Sequence, residues 1–551
     1  MVATHLTNTG WEKNSIDLGN WNNKSDIVED LFDGIQVASG VTVDTLRGND
    51  SIYGKLSSEA SSITGFFNRG TINTGKGKDS IKGEVEANGN DNRGISNFGT
   101  INTGKGKDYI HGSVSVKGTI NNNSGIFNDT GNTIDTGKGK DHIHGTVFVK
   151  ETGIKNRGIT NRGIIDTGTG KDYIQCTVSV RGTGDNNRGI SNSNGSTINT
   201  GKGKDYIQCT VSVRGIGTLN FGILNGGTIN TGRGKDHIHS TVSVKDTGNL
   251  NSGIESFSII NTGAGNDHIQ GTVFVKETGI RNRGITNRGM IDTGTGKDYI
   301  HGNVFVKGTG NNNRGISNSN GSTINTGKGN DYIHGTVSVQ GTGDGNRGIL
   351  NFGTLTTGII DTGTGNDYIH GTVFVKGNGN HNRGISNGTG TGSTINTGAG
   401  NDHICGIVSI KGTGTDNFGI FNEATISTIT GIKMGAGNDK ITGIGQNAFT
   451  GFGGGGEIDL GEGKDKIIGF GEQTVFGGTG MDTAEFIFNL DNSITLSSTA
   501  INSIDITANK VTMSFTDVER FMFNNGTFSL SELQDMAVDP STGDDMRTPI
   551  Q

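Results

Sequence analysis

Residues Thr197–Gly226 read TINTGKGKDYIQCTVSVRGIGTLNFGILNG, and this stretch decides the fold. It holds three short segments that can form strands, separated by turns rich in Gly and Asn. The central segment alternates apolar and polar residues with the period of two expected of a half-buried strand. The side chains predicted to point inward are Ile198, Ile207, Val211, Val213 and Ile223, and those predicted to point outward are Tyr206, Gln208, Thr210 and Ser212.

The same pattern recurs along the chain, and each copy ends its Gly-rich turn with an aspartate. These aspartates are Asp50, Asp79, Asp108, Asp141, Asp172, Asp205, Asp236, Asp267, Asp298, Asp331, Asp367, Asp402, Asp439, Asp465 and Asp482. Their intervals run from 29 to 37 residues and shrink to 26 and 17 at the end. A near-constant period is typical of a solenoid, whose repeats bury their apolar faces against their neighbours. We therefore predict an all-β fold, a right-handed parallel β-helix of about 13 to 15 coils.

Three regions follow from this pattern. Residues 1–40, which include Trp11 and Trp21, are predicted to form an N-terminal cap, because a solenoid end exposes a strand edge. Residues 41–482 form the solenoid of roughly 31-residue repeats. Residues 483–551 are predicted to form a β-rich C-terminal cap and export region, with a hairpin turn at Asn525–Gly526.

The charge and composition of the chain argue against several classes of protein. The 551 residues carry a formal charge of −7 without a basic block, which makes nucleic acid an unexpected partner. The start of the chain lacks a basic and apolar signal sequence, and no stretch of ~18 apolar residues is available to span a membrane. Of the three cysteines, Cys176 and Cys209 occupy the same repeat position, where we expect free small side chains in place of glycine rather than a disulfide.

The aspartate turns suggest a metal ligand. In Thr397–Cys405, TGAGNDHIC, and Gly477–Thr483, GGTGMDT, two glycines permit a tight turn with inward carbonyls, and the aspartate adds a carboxylate. Calcium prefers six to eight such oxygens at ~2.3–2.6 Å, which stacked turns can supply together. The turns resemble the nonapeptide of hemolysin-type (RTX) calcium-binding repeats, although most have Thr where that family has its first glycine.

This resemblance implies Ca²⁺ as the cofactor and a set of metal-site residues. They are Asp267, Asp331, Asp367, Asp402, Asp439, Asp465 and Asp482, with Gly365, Gly400, Gly437, Gly463 and Gly480. Most of these turns have Asn before the aspartate. Eight turns, including that of Asp465, instead have Lys there, namely Lys78, Lys107, Lys140, Lys171, Lys204, Lys235, Lys297 and Lys464. In these turns the carboxylates need a cation that either calcium or the lysine can provide, so a metal-free Asp/Lys ladder is the alternative.

Two further residue patterns recur along the chain. The sequence Asn-Arg-Gly-Ile, as at Asn92–Ile95 and Asn313–Ile316, predicts an internal asparagine ladder. Ten histidines follow the turns, in sequences such as Asp-His-Ile-His, and we interpret them as solvent-facing Tyr/His stacks in preference to a transition-metal stripe.

The overall resemblance is to RTX proteins and to oscillin-like surface proteins. Phe515–Asn524, FTDVERFMFN, resembles the end of family members that are exported with an uncleaved C-terminal signal. We therefore expect a secreted or cell-surface calcium-binding protein with a structural or adhesive role. Its expected partners are cell-surface polysaccharide or copies of itself. A polysaccharide-active β-helix enzyme, a lyase or epimerase, is the alternative, but no coil breaks the pattern with a distinct acid/base pair.

Overall fold

The computed structural model describes residues 3–5, 27–30, 34–319, 321–353, 357–388, 392–424, 431–498 and 500–538. Most of the predicted N-terminal cap, including Trp11 and Trp21, lies outside these ranges. The described chain is nearly all β and forms a parallel β-solenoid of about 13 turns, as predicted. It divides into two compact units, Met1–Thr278 and Gly279–Gln551. In both units a coil contributes one strand to each of three parallel sheets, which we call the long-strand, middle and short-strand sheets.

In the first unit the strands repeat regularly. The long-strand sheet comprises Ser51–Ser58, Ser80–Ala87, Tyr109–Val116, His142–Val149, Tyr173–Val180, Tyr206–Val213, His237–Val244 and His268–Val275. At its start Ile27–Asp30 pairs with Ser51–Ser58, and Ala3–His5 pairs with Ile27–Asp30. The middle sheet comprises Ile35–Val37, Thr64–Asn68, Arg93–Asn97, Ser124–Asn128, Arg157–Asn161, Arg188–Asn192, Phe221–Asn225 and Ser252–Ser256. The short-strand sheet comprises Thr42–Asp44, Thr71–Asn73, Thr100–Asn102, Thr133–Asp135, Ile164–Asp166, Thr197–Asn199, Thr228–Asn230 and Ile259–Asn261.

The second unit has the same plan with shorter coils near its end. Its long-strand sheet comprises Tyr299–Val306, Tyr332–Val339, Tyr368–Val375, His403–Ile410, Lys440–Ile444, Lys466–Ile468 and Thr483–Glu485. Its middle sheet comprises Arg283–Asn287, Arg314–Ser319, Arg347–Phe352, Arg383–Asn387, Phe418–Asn422 and Phe452–Gly453. Its short-strand sheet comprises Met290–Asp292, Thr323–Asn325, Gly358–Asp361, Ser393–Asn396, Gly431–Lys433, Glu457–Asp459 and Thr474–Phe476.

Equivalent residues of successive coils lie side by side, so the core consists of columns of identical side chains. Ile174 pairs with Ile207 and Val178 with Val211, and all four are fully buried. The five side chains predicted to point inward from Thr197–Gly226 are likewise fully buried, which confirms the predicted alternation. Branched aliphatic side chains suit this packing because each one fills the gap above its neighbour.

The core is thin between the long-strand and middle sheets. An ideal Cβ on Gly112 would lie 2.0 Å from the carbonyl oxygen of Gly125 in the same coil, so the two backbones nearly touch there. Cys176 and Cys209 occupy the position of Gly112 in their own coils, and both are buried free thiols. The prediction of small unpaired side chains at this position is therefore confirmed.

Two asparagine columns lie inside each unit. In one of them Nδ2 of Asn313 donates to Oδ1 of Asn346 at 3.2 Å, and Nδ2 of Asn346 donates to Oδ1 of Asn382 at 3.1 Å. In the other, Asn161 donates to Asn192 and Asn192 to Asn225, at 2.9 and 2.8 Å. The predicted internal asparagine ladder is confirmed, and its amides satisfy polar groups that the coil corners would otherwise bury without partners.

The C-terminal part changes from parallel to antiparallel pairing. Ser503–Ala508 pairs antiparallel with Val511–Thr516, and Arg520–Phe523 with Gly526–Ser529. The second hairpin turns at residues 524–525, one residue earlier than the predicted turn at Asn525–Gly526. A helix that the sequence reading did not predict, Leu530–Val538, follows. Within the described residues, no helix is long and apolar enough to cross a membrane.

Candidate functional site

The glycines of the aspartate turns are required by close contact between coils. Gly400 has a φ of +145°, and an ideal Cβ on it would lie 1.7 Å from the carbonyl oxygen of Gly365 in the preceding coil. The corresponding distances at Gly437 and Gly463 are 1.6 and 1.5 Å. Each turn therefore places a glycine carbonyl oxygen directly against the next turn, and no other residue type fits there.

The aspartates of successive turns form a hydrogen-bonded column, which we call the aspartate ladder. The backbone amide of Asp172 donates to Oδ1 of Asp205 at 2.8 Å, and the amide of Asp367 donates to Oδ1 of Asp402 at the same distance. The same bond, at 2.7–2.9 Å, links Asp50 through Asp267 in the first unit and Asp298 through Asp482 in the second. Each carboxylate thus satisfies the backbone of the preceding coil.

The second carboxylate oxygen of the ladder is buried. Oδ2 has no hydrogen-bond partner among the described residues in Asp79, Asp108, Asp141, Asp172, Asp205, Asp236, Asp331, Asp367, Asp402, Asp439, Asp465 and Asp482. Burial raises the pKa of these carboxyl groups, to about 7 in Asp172 and Asp367 and to about 6 in Asp331, while the amide that donates to Oδ1 lowers it. Burial outweighs the hydrogen bond, because a buried carboxylate loses its hydration.

A threonine five residues before the aspartate accompanies most turns of the ladder. In the first turn Thr45 donates from its hydroxyl to Oδ2 of Asp50 at 2.6 Å. In later turns the hydroxyl lies close enough to lower the pKa of the carboxyl, as Thr74 does for Asp79, but it donates to a backbone carbonyl instead. Thr362 likewise donates to the carbonyl of Thr397 at 3.2 Å. In the turns of Thr136 and Thr167 neither the hydroxyl nor Oδ2 of the aspartate has a hydrogen-bond partner among the described residues, although each hydroxyl lies close enough to lower the pKa of its aspartate. This threonine occupies the family's first glycine position.

The lysines before the aspartates do not neutralise the ladder where their contacts are described. The ammonium group of Lys171 lies 5.5 and 5.3 Å from the ring centroids of Tyr173 and Tyr206, and that of Lys204 lies 5.6 Å from Tyr206. Neither lysine forms an ion pair with an aspartate of the described ladder, and neither shifts the pKa of Asp172. For these turns the alternative of an Asp/Lys ladder is wrong, because the lysines lie on the outer surface and the carboxylates are buried.

The asparagines that replace those lysines form an exposed ladder of their own. Asn330 accepts the amide of Asn366 through Oδ1 at 2.9 Å, and Asn366 accepts that of Asn401 at 2.8 Å. Their side-chain oxygens therefore serve the neighbouring backbone and are directed away from the buried carboxylates.

The structure places the residues of the predicted metal site in corresponding turns within each unit. Asp267 ends the ladder of the first unit, where Oδ1 accepts the amide of Asp236. In the second unit the remaining predicted ligands lie in successive turns: Asp331, Asp367, Asp402, Asp439, Asp465 and Asp482, with Gly365, Gly400, Gly437, Gly463 and Gly480 two residues before the aspartates.

The C-terminal end of the ladder collects additional oxygen atoms. An ideal Cβ on Gly477 would lie 1.7 Å from the carbonyl oxygen of Asp517 and 2.8 Å from Oδ2 of Asp482. Glu519 accepts the backbone amide of Asp482. Burial raises the pKa of Asp482 to about 7, and the charges of Asp465 and Glu519 contribute to this shift. Asp517 and Glu519 were missed in the sequence because they follow the last repeat and belong to no repeated motif.

These oxygens are of the kind that calcium binds. The ladder offers an unpartnered carboxylate oxygen in most turns together with glycine carbonyls, and both are hard donors suited to Ca²⁺. The raised pKa values are also consistent with a need for a counter-charge, which a proton or a cation can supply. The donor set therefore fits calcium, and the Asp482 end, which lacks the threonine, offers the most oxygen atoms.

The histidines form stacked columns on the outside of the long-strand sheet, as predicted. The rings of His334 and His370 stack with centroids 4.8 Å apart, and burial between neighbours lowers the pKa of His370 to about 4. His237, His239 and His268 bring ligand nitrogens within 4.8 Å of one another, but two of them already contact each other at 3.3 Å. These contacts are accounted for by ring packing and hydrogen bonding.

The fold and the aspartate ladder define the class of this protein as a parallel β-solenoid with buried, stacked carboxylates. In comparisons with known proteins, no family model, no curated protein and no solved structure matches the chain.

Proposed function

We propose that this chain is a calcium-binding structural protein related to hemolysin-type repeat proteins, which acts outside the cell or at its surface in a structural or adhesive role. The observation that carries the proposal is the column of buried aspartates, in twelve of which Oδ2 has no hydrogen-bond partner among the residues that the structure describes. Deprotonated carboxylates ~5 Å apart repel by ~0.8 kcal/mol per pair in water and more in a buried column. Calcium bound to Oδ2 and the turn carbonyls would remove this repulsion.

The proposed location outside the cell is supported by a sequence resemblance. Phe515–Asn524 resembles the C-terminal end of exported family members. Binding of calcium after export would favour the folded ladder, since a ligand that binds only the folded state stabilises it.

The proposal is tested by adding calcium to protein prepared in chelator, with circular dichroism and thermal unfolding as readouts. We expect calcium to raise the unfolding temperature of the wild type. In the variant Asp367→Asn/Asp402→Asn each side chain keeps an oxygen for the neighbouring amide but loses its charge, so the calcium response should shrink. The matched control, Glu151→Gln/Glu277→Gln, removes the same charge from exposed positions and should respond like the wild type.

A wild type with the same unfolding temperature in chelator and in calcium would refute the proposal. The variant Asp172→Asn/Asp205→Asn tests whether the turns that contain lysine take part. From the sequence, a smaller loss is expected there than in Asp367→Asn/Asp402→Asn, because the turns of Asp172 and Asp205 have Lys in place of Asn before the aspartate. The structure instead favours a similar loss, since Asp172 and Asp367 form the same hydrogen bond and burial raises the pKa of both to about 7.

A further inference from the structure

The middle sheet of the second unit carries a column of arginines on its outer surface. Arg283, Arg314, Arg347 and Arg383 begin four successive strands and are direct partners in the strand register. Neighbouring strands of a sheet lie ~4.8 Å apart, so this arginine column presents one guanidinium per step of that length.

The arginine side chains lie over the sheet instead of extending into solvent. The outward-facing residues of the strands beneath them, Thr286, Ser317, Leu350 and Ser386, are at most 5% exposed. Arg314 and Arg383 reach the serine hydroxyls of their own strands at 3.4 Å, which is long for a hydrogen bond. These contacts hold the Arg314 and Arg383 guanidinium groups against the sheet, and their length means that the terminal N–H groups are only weakly hydrogen-bonded there.

Around Arg314 the described charges are of one sign. The charged groups that lower the pKa of Arg314, after the larger effect of burial, are all arginines: Arg283, Arg347, Arg281 and Arg288. Farther along the column acidic groups take part, since Glu423 acts on Arg347, and Glu423 and Asp416 act on Arg383. The Nε atoms of Arg314, Arg347 and Arg383 are buried without a hydrogen-bond partner among the described residues.

The first unit provides an internal comparison. At the equivalent positions Arg93, Arg157 and Arg188 are interrupted by Ser124 and followed by Phe221. Acidic groups also lie nearer there, because Asp91 acts on both Arg93 and Arg157. Among the described strands, the uninterrupted arginine column therefore lies in the second unit.

We propose that the arginine column binds an acidic polysaccharide that carries one carboxylate per sugar, laid along successive strands. Guanidinium groups recognise carboxylates through paired N–H donors, and a linear chain of carboxylates matches a linear row of arginines. Phe421, the register partner of Ser386, lies under the Arg383 guanidinium at 3.3 Å and holds that group in place.

This site is separate from the aspartate ladder and needs no metal. It would give the proposed adhesive role a ligand, yet it can be tested with calcium removed by chelator, so that the two proposals fail independently. The probe is a polygalacturonate oligomer, with dextran as the neutral polysaccharide and polyphosphate as the competing anion.

The test measures binding of these probes to the full chain by calorimetry in chelator. We expect wild type to bind polygalacturonate and not dextran, and Arg314→Gln/Arg347→Gln to bind at least about tenfold more weakly. Arg181→Gln/Arg214→Gln removes the same charge from exposed positions at the ends of long strands and should bind like wild type. Arg314→Lys/Arg347→Lys keeps the charge and should lose part of the affinity, since the paired donors are gone.

Three results would overturn the proposal: no binding of polygalacturonate by wild type, equal losses in the Arg314/Arg347 and Arg181/Arg214 variants, or tighter binding of polyphosphate than of polygalacturonate. Circular dichroism of each variant identifies misfolding. If the glutamine variant misfolds, the lysine variant decides, and full wild-type affinity in that variant would contradict recognition by guanidinium groups.

Discussion

The backbone amide of Asp482 donates a hydrogen bond to Oε2 of Glu519 at 2.7 Å. Every earlier aspartate amide of the second-unit ladder donates to the aspartate of the following turn, so Glu519 supplies the acceptor after the last repeat. Glu519 lies within Phe515–Asn524, after the last repeat. This stretch of chain therefore completes the hydrogen bonds of the solenoid.

Replacing Glu519 should weaken the end of the ladder. In Glu519→Ala the Asp482 amide loses its acceptor, which is expected to cost ~1 kcal/mol. Glu519→Gln keeps an oxygen and should cost less. Hydrogen exchange of the Asp482 amide should become about fivefold faster in the alanine variant, whereas Glu472→Ala at an exposed position should leave it unchanged. Unchanged exchange in Glu519→Ala would show that water replaces the carboxylate fully.

Protein prepared without calcium should lose stability as the pH rises from 6.5 to 8.5. Burial raises the pKa of Asp108 to about 7, compared with ~3.9 in an unfolded chain. The folded state thus keeps a proton that the unfolded state has released. This stabilisation is complete below the unfolded pKa and is lost as the pH rises through the folded value. Each unit of difference corresponds to ~1.4 kcal/mol per carboxyl group, measured as a fall in unfolding temperature.

The histidines determine the lowest pH at which the effect of the aspartates can be measured alone. Burial lowers the pKa of His111 and His144 to about 4, so they favour the folded state above their unfolded pKa of ~6.5 and oppose it as the pH falls below that value. Above pH 6.5 the aspartates act without this opposing effect. Saturating calcium should flatten the profile between pH 6.5 and 8.5. A flat profile in chelator would contradict the raised pKa values of the ladder.

The sequence predicted the fold well because every coil of a solenoid carries the same pattern of turn and core residues. The period of the aspartate turns and the alternation around Val211 define the coil, and the Asn-Arg-Gly motif predicted the internal ladder. The position of charged side chains was harder to predict. Lys171 precedes Asp172 in sequence, yet alternation places the ammonium group outside and the carboxylate inside, so adjacency along the chain gave the wrong partner.

Features that occur once were missed. The helix Leu530–Val538 has a recognisable start, because Ser529 and Glu532 form a capping box in which the Ser529 amide donates to Glu532 at 2.7 Å. Its sequence, Ser-Leu-Ser-Glu, could have revealed it. Glu519 has no such local signal, since its partner Asp482 lies 37 residues earlier and only the folded chain brings them together.

The close contact between turns predicts a large difference between two glycines of the first unit. Gly203 has a φ of +157°, and an ideal Cβ on it would lie 1.3 Å from the carbonyl oxygen of Gly170. Gly195 has a φ of +74°, and nothing lies within 4 Å of its ideal Cβ. Gly195→Ala should cost ~1–2 kcal/mol for the left-handed backbone alone. Gly203→Ala should cost several times more, because the backbones must separate. Equal unfolding temperatures in the two variants would contradict this packing.

The asparagine column should contribute measurable stability through hydrogen bonds between uncharged amide groups. Asn192 donates to Oδ1 of Asn225 at 2.8 Å and to the carbonyl of Thr228 at 3.1 Å, and it accepts from Asn161 at 2.9 Å. In Asn192→Ala these buried partners lose their hydrogen bonds, at an expected total cost of ~2–4 kcal/mol. Asn194→Ala, at an exposed position two residues away, should change stability by less than ~0.5 kcal/mol. Denaturant unfolding of both variants measures the difference. If Asn192→Ala is as stable as Asn194→Ala, water enters the coil corner and replaces the amide, and the column then sets the register of the coils without stabilising them.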